Sequence, residues 1–178
     1  MRFIDGEIRR DYTLINAPQD PELVLLARRV PEGRFSPLLA GADPGEVFTA
    51  EGPFGYFSFQ TSSRPAVWIA TGTGIAPFIA FVRAGMHCRI MLHGVRRPDE
   101  LYFHGEMRRG AQHFVACISG SDVPADCFRG RVTEYLERRL PDGVYDFYLC
   151  GRQEMIASVT ALIDRRFEDS HVFSEAFF

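Results

Sequence analysis

The chain has 178 residues, 46% of them hydrophobic and 24% charged, which is the balance of a globular protein built as one domain or two small ones. Twenty basic and 23 acidic residues leave a net charge of −3, without the basic excess that nucleic-acid binding requires. Every basic residue is arginine, which excludes lysine Schiff-base chemistry and a Walker-type phosphate loop ending in Gly-Lys.

In chain order, residues 1–64 have short β-like runs separated by turn residues. Met1–Ile4 offers one short strand, Glu7–Asn16 reads as a strand, and Ala17-Pro18-Gln19-Asp20-Pro21 as a turn. Glu22–Val30 reads as a further strand, Phe35–Ala40 as one helical turn, and Gly45–Gln60 as one or two strands. Thr61-Ser62-Ser63-Arg64-Pro65 marks a connection between two domains, 1–64 and 65–178. Beyond it the pattern alternates: strands at Ala66–Ala70, Cys88–Val95, Phe114–Ile118, Asp146–Cys150 and His171–Phe177, with helices at Pro77–Ala84, Glu100–Arg109, Arg131–Arg139 and Gln153–Phe167. Near-continuous apolar strands separated by helices predict an α/β fold, a parallel five-stranded sheet covered on both faces. Such a sheet binds ligands at the carboxyl ends of its strands.

Cys88, Cys117, Cys127 and Cys150 contain no C-x-x-C pair, so zinc-ribbon, thioredoxin and [2Fe–2S] patterns are missing. No apolar export segment follows Met1, and the longest apolar stretch, Ala66–Val82, is interrupted by glycines and Pro77. The expectation is a cytoplasmic protein with reduced thiols and no membrane span. Five histidines show no metal-ligand spacing, and none is assigned chemistry.

The run Val67-Trp68-Ile69-Ala70-Thr71-Gly72-Thr73-Gly74-Ile75-Ala76-Pro77 is a strand entering a glycine turn, with a proline placed to open a helix. Glycines there let backbone approach a diphosphate, and free N–H groups at a helix start favour anions. On its own the run is also ordinary turn geometry. Arg10-Asp11-Tyr12-Thr13, Gly33-Arg34-Phe35-Ser36, Gly52-Pro53-Phe54-Gly55 and Cys150-Gly151 accompany it. Together these segments, in this order, resemble the ferredoxin–NADP(+) reductase family, whose pattern is R-x-Y-[ST], G-x-x-S, G-P-x-G, G-T-G-x-[AS]-P and C-G.

The resemblance implies a flavin β-barrel followed by a nicotinamide-nucleotide domain, with hydride passing from NADH or NADPH to FAD and electrons to a separate acceptor protein. It implies that Arg10 meets the FAD diphosphate, that Tyr12 stacks on the flavin and that Thr13 bonds near flavin N5. Gly33, Phe35 and Ser36 belong to the segment that cradles the diphosphate. Thr71, Gly72, Thr73, Gly74 and Pro77 would hold the coenzyme diphosphate, with Arg96 nearby, and Cys150 and Gly151 would face the nicotinamide. Glu175-Ala176-Phe177-Phe178 resembles a C-terminal E-x-A-F run, placing Glu175 near the hydride path and Phe177 or Phe178 at the flavin. Cys150, Glu175 and Thr13 are thus the catalytic candidates. Ser119-Gly120-Ser121 stands where NADP-using members often carry an arginine, and Asp122 adds negative charge, so NADH is favoured unless Arg129 or Arg131 substitutes. Only nine residues precede Arg10, so the barrel is expected to be truncated and completed by a second copy or another polypeptide. The alternative is a nucleotide-binding electron-transfer subunit that works only within a larger complex.

Overall fold

The structure, a computed structural model, describes residues 1–177. Two sheets organise it. In the first, β1 (Arg2–Asp5) lies between the antiparallel strands β2 (Ile8–Asp11) and β3 (Thr49–Glu51), so Phe3 faces Arg10 on one side and Ala50 on the other. Gly6, at φ +57°, makes the tight turn between β1 and β2, a conformation that costs glycine nothing. A short helix, α1 (Ser36–Gly41), follows with Pro37 in its first turn. Phe3, Tyr12, Phe35 and Phe48 pack ring to ring at centroid distances of 5.9–6.2 Å and form the core of this half.

The strands here are shorter than the sequence suggests. Glu7–Asn16 narrows to Ile8–Asp11, and Gly45–Gln60 contributes only Thr49–Glu51. Glu22–Val30 forms no strand and meets Tyr12–Asn16 through one isolated bridge, Leu14 to Leu25, and a Val24 N–H bond to Asn16 Oδ1 at 2.9 Å. The reason is pairing: an apolar run becomes a strand only where a neighbour supplies its hydrogen bonds, and these runs have few such neighbours among the described residues.

The second sheet contains β4 (Ala66–Thr71), β5 (Cys88–Val95), β6 (Ala111–Ile118), β7 (Phe128–Arg129), β8 (Asp146–Arg152) and β9 (His171–Phe177), all parallel, in the order β7-β6-β5-β4-β8-β9. The five expected strands are therefore six. The extra one is two residues long, too short to carry a periodicity, and pairs Phe128 with Cys117. Helices α2 (Ala76–Arg83) and α3 (His104–Gly110) cover one face, packing Phe78, Ile79 and Met107 on Trp68, Met91 and Tyr148. Helices α4 (Val132–Arg139) and α5 (Gln153–Arg166) cover the other, where Leu136, Val159 and Ile163 meet Val67, Leu92 and Phe147. Alternate residues of each strand serve alternate faces, so both sides of the sheet are dry.

The small half docks on the α2 face. Phe57 and Phe59 pack on Phe78, Phe81, Trp68 and Tyr148 at 5.3–6.1 Å, and the Gln60 N–H donates to the Tyr148 hydroxyl at 2.9 Å. Ile15, almost fully buried, joins the same cluster.

Candidate functional site

The strand order reverses at β4: β5, β6 and β7 lie to one side of it, β8 and β9 to the other. In open α/β sheets the crevice at the carboxyl ends beside such a reversal is where ligands bind. Here it is bounded by the glycine turn after β4 and by Cys150-Gly151 near the end of β8. The turn, Gly72–Ile75, is a single 3-10 turn running into α2, with Gly72 at φ +53°.

Two glycines are required by contact as much as by conformation. A Cβ on Gly74 would overlap the backbone carbonyl of Cys150, and one on Gly151, at φ +142°, would overlap the Thr71 hydroxyl. The two segments thus meet backbone to backbone. Thr71 Oγ1 also accepts the Arg152 N–H at 3.2 Å, which ties the end of β8 to the start of the turn. Gly74 and Gly151 lock the two segments together, while Gly72, whose missing side chain would meet nothing within 4 Å, leaves open backbone at the start of the turn, which suits the close approach of a diphosphate. Pro77 is buried in the first turn of α2, shaping the backbone there rather than presenting a side chain.

One step below, the register puts four residues in a row across the sheet: His93 beside Ala70, Ala70 beside Cys150, Cys150 beside Glu175. Paired residues of parallel strands point to the same face, so this row lies on the side where the small half docks. Thr13, from that half, meets the row at Glu175. Burial lifts the Glu175 carboxyl above the usual carboxylate range, while the Thr13 hydroxyl draws it back down. The Cys150 thiol is fully buried, and burial, with Glu175 adding to it, raises it so far that it stays neutral. The structure therefore brings Thr13, Cys150 and Glu175 together, although 137 and 25 positions separate them along the chain (150 − 13 and 175 − 150). Phe177 ends β9 opposite Arg152, and Phe178 lies outside the described residues.

The flavin candidates form a second group in the small half. Arg10 is exposed on β2, donates only to the Arg9 carbonyl at 2.7 Å, and pairs with no carboxylate among the described residues. Tyr12 is half-buried, at 5.9 Å from Phe3 and 6.0 Å from Phe35. Phe35 is fully buried and its ring belongs to the aromatic core of this half. Ser36 Oγ accepts the Val30 N–H at 3.0 Å, leaving its hydroxyl proton to donate elsewhere; the same loop is held by Gly33 N–H on the Val30 carbonyl at 2.9 Å. Arg96, just past β5, is exposed; its N–H rests on Glu100 at 2.9 Å and its carbonyl accepts the Gly120 N–H at 3.0 Å.

One residue of the row escaped the sequence reading. His93 is fully buried, with Nε2 at 3.0 Å from the Gly72 carbonyl, and burial pushes it down to about 4. A cleft of about 710 Å³, lined in part by Gln60, Asp146 and His171, opens at the amino ends of β8 and β9. It lies at the opposite end of the strands from the glycine turn and takes no part in the site. Among the described residues no group of three or more His, Cys, Asp or Glu is arranged to hold a metal, and no helix is long and apolar enough to cross a membrane.

This combination of a parallel nucleotide-type sheet, a glycine turn at its reversal and a small β half docked over it defines an NAD-binding oxidoreductase architecture. Residues 68–161 match the oxidoreductase NAD-binding domain family. The chain is 31% identical over 176 residues to ferredoxin–NADP reductase B of Sorangium cellulosum, covering 88% of this chain and 72% of that one. It is 31% identical over 166 residues to the toluate 1,2-dioxygenase electron transfer component of Pseudomonas putida, covering 86% of this chain and 49% of that one. The crystal structure of the Amycolatopsis cytochrome P450 reductase GcoB superposes with a TM-score of 0.83 at 28% identity, over 99% of this chain and 59% of the other. The chain belongs to the ferredoxin–NADP reductase-like family. It spans about half the length of the oxygenase components it matches.

Proposed function

We propose that the chain is an FAD-dependent NAD(P)H reductase, taking hydride from the nicotinamide coenzyme and passing electrons to an acceptor protein on a separate chain. The observation that carries this reading is the row of Cys150 and Glu175, closed by Thr13 and roofed by the glycine turn. Residues 1–64 are read as the FAD-holding unit and 65–178 as the coenzyme-holding unit. When bound, FAD supplies the conversion from a two-electron donor to one-electron delivery.

The residues fit both groups. Arg10, which pairs with no carboxylate among the described residues, neutralises the FAD diphosphate, and the Ser36 hydroxyl donates to it. Tyr12 and Thr13 hold the flavin ring. Thr71, Gly72, Thr73 and Gly74 supply backbone against the coenzyme diphosphate. Gly151 and Cys150 leave a small, uncharged surface on which the nicotinamide can lie close to the flavin; a charged thiolate there would repel the electron-rich reduced ring. Glu175 keeps its carboxyl beside the Thr13 hydroxyl and holds a proton more readily than an exposed carboxylate.

NADH is the favoured coenzyme. Ser119-Gly120-Ser121 brings no arginine to the end of β6, and the exposed Asp122 beside it adds a negative charge that disfavours a 2′-phosphate, although Arg129, which donates to the Ser121 carbonyl at 3.3 Å, keeps its own charge. A kcat/KM higher for NADPH than for NADH would reverse this assignment. Four free thiols, three of them buried, support a reducing compartment such as the cytosol. The outer edge of β2 pairs with nothing among the described residues, which supports completion of the small sheet by a second copy or another polypeptide through residues 1–16; sedimentation across concentrations tests it. Relatives named as electron transfer components of dioxygenases favour a second reading, a subunit competent only inside a larger complex.

The deciding experiment is an absorption spectrum of the purified protein loaded with FAD. Flavin bands that bleach on adding NADH or NADPH are expected. A protein that binds coenzyme yet cannot be loaded with FAD would favour the subunit reading.

A further inference from the structure

His93 carries a fully buried imidazole, beside Ala70 and between Trp68 and Met91 on the α2 face of the sheet, while Glu175 at the far end of the row is only half-buried. A leucine or methionine would fill this place without the cost of stripping water from an imidazole, a cost recovered only through hydrogen bonds. The ring makes one: Nε2 lies 3.0 Å from the Gly72 carbonyl, while Nδ1 is buried with no partner. A carbonyl can only accept, so the proton must sit on Nε2 and Nδ1 must be bare. Protonating the ring would leave a buried Nδ1–H without an acceptor, and burial accordingly pushes the group down to about 4. The histidine is therefore a neutral, single-purpose donor.

Its target is the first carbonyl of the turn. The peptide from Gly72 to Thr73 is planar and trans, so its C=O and N–H point in opposite directions. With the Gly72 oxygen drawn onto His93, the Thr73 N–H is aimed away from the imidazole. Gly72 is also the residue at φ +53°, the position where the chain has most freedom to flip that peptide. We propose that His93 is a positioning residue for coenzyme binding: its Nε2–H anchors the Gly72 carbonyl and so fixes the peptide that presents the Thr73 N–H to the coenzyme diphosphate. The proposal rests on the coenzyme reading given above.

Three variants in the full chain test it: His93→Leu removes the donor, His93→Gln keeps an amide at about the reach of Nε2, and His93→Asn keeps an amide that falls one bond short. Two measurements apply to each, amide hydrogen exchange of residues 71–76 without coenzyme and the Kd for NADH and NADPH by calorimetry. The Leu and Asn variants are expected to exchange this segment faster and to bind coenzyme roughly tenfold more weakly, the loss of about one net hydrogen bond. The Gln variant should stay within about threefold of wild type, and kcat at saturating coenzyme should change little in any of them. Equal exchange and equal Kd for the Gln and Asn variants would overturn the proposal, and this comparison holds even if the Leu variant fails to fold. Wild-type protein that binds neither coenzyme would count against the coenzyme reading alone; faster exchange in the Asn variant than in the Gln variant would still support the anchor.

Discussion

The two halves solve the problem of burying backbone differently. In residues 66–177 each central strand has a partner on both sides, and β8 shows the outcome: Phe147, Tyr148, Leu149 and Cys150 are all at zero exposure. In residues 1–64 three strands of three or four residues surround an aromatic knot, while Val47, Phe54 and Tyr56 stand in solvent. One half closes on itself; the other is held by its neighbour, through Phe57, Phe59 and the Gln60–Tyr148 hydrogen bond. Burial and strand pairing are thus densest around the glycine turn, and the candidate flavin residues lie on the less buried half.

The strongest way to break this contrast is at the centre of the large sheet. Phe147→Ala empties a fully buried site between α4 and α5 and should cost about 3–5 kcal/mol in urea unfolding. If the small half depends on the sheet, its hydrogen-exchange protection should fall together with that of β8. Protection that persists in residues 1–64 would show two independent units.

Next in size is a pH effect confined to the large half. His93 binds its proton near the ordinary 6.5 when unfolded but only near 4 when folded. Between those values the unfolded chain holds the extra proton, so stability present above pH 6.5 is lost as pH falls toward 4. The loss from this residue is on the order of 3 kcal/mol. No charged side chain contributes to the shift, so it should survive high salt. The check is the slope of unfolding free energy against pH, which should flatten over this window in His93→Leu relative to wild type.

Smaller again, Arg10→Ala should weaken FAD by roughly ten- to a hundredfold, the worth of one charge-assisted hydrogen bond, and leave coenzyme affinity unchanged. Coenzyme affinity that falls in parallel would mean that the two halves are coupled more tightly than their contacts suggest. At the bottom of the scale, Tyr56→Ser removes a fully exposed ring and should shift stability by no more than about 0.5 kcal/mol. A larger loss would reveal that Tyr56 is covered in solution.

The sequence was readable where pattern and contact coincide. The central strands β4 and β8 carry near-continuous apolar runs because both of their faces are buried, and the β5 and β9 limits fall where the residues suggest. The glycine turn was equally plain, since Gly72 and Gly74 sit between a strand and a proline. Reading failed where structure depends on a distant partner. Glu22–Val30 has the composition of a strand but its bonds go to one bridge and to the side chains of Asn16 and Ser36, and Phe128–Arg129 is a strand only because Cys117 and Ile118 lie alongside. His93 is illegible in the sequence for the same reason. A lone histidine in Met91-Leu92-His93-Gly94 looks like core, and its purpose becomes visible only once Gly72, twenty-one positions earlier, is seen to end against it.

The burial of the cysteines has a practical chemical consequence. Cys88, Cys117 and Cys150 are shut inside the sheet, and loss of hydration raises each thiol far from the thiolate form that reacts. Cys127 alone reaches the surface, on the segment that leads from Asp122 to Arg129. Toward an alkylating reagent the folded protein therefore behaves as a single-thiol molecule. A spin label or fluorophore placed at Cys127 without mutagenesis would sit on the segment between Asp122 and Arg129, and would report its movement while leaving Cys150 untouched.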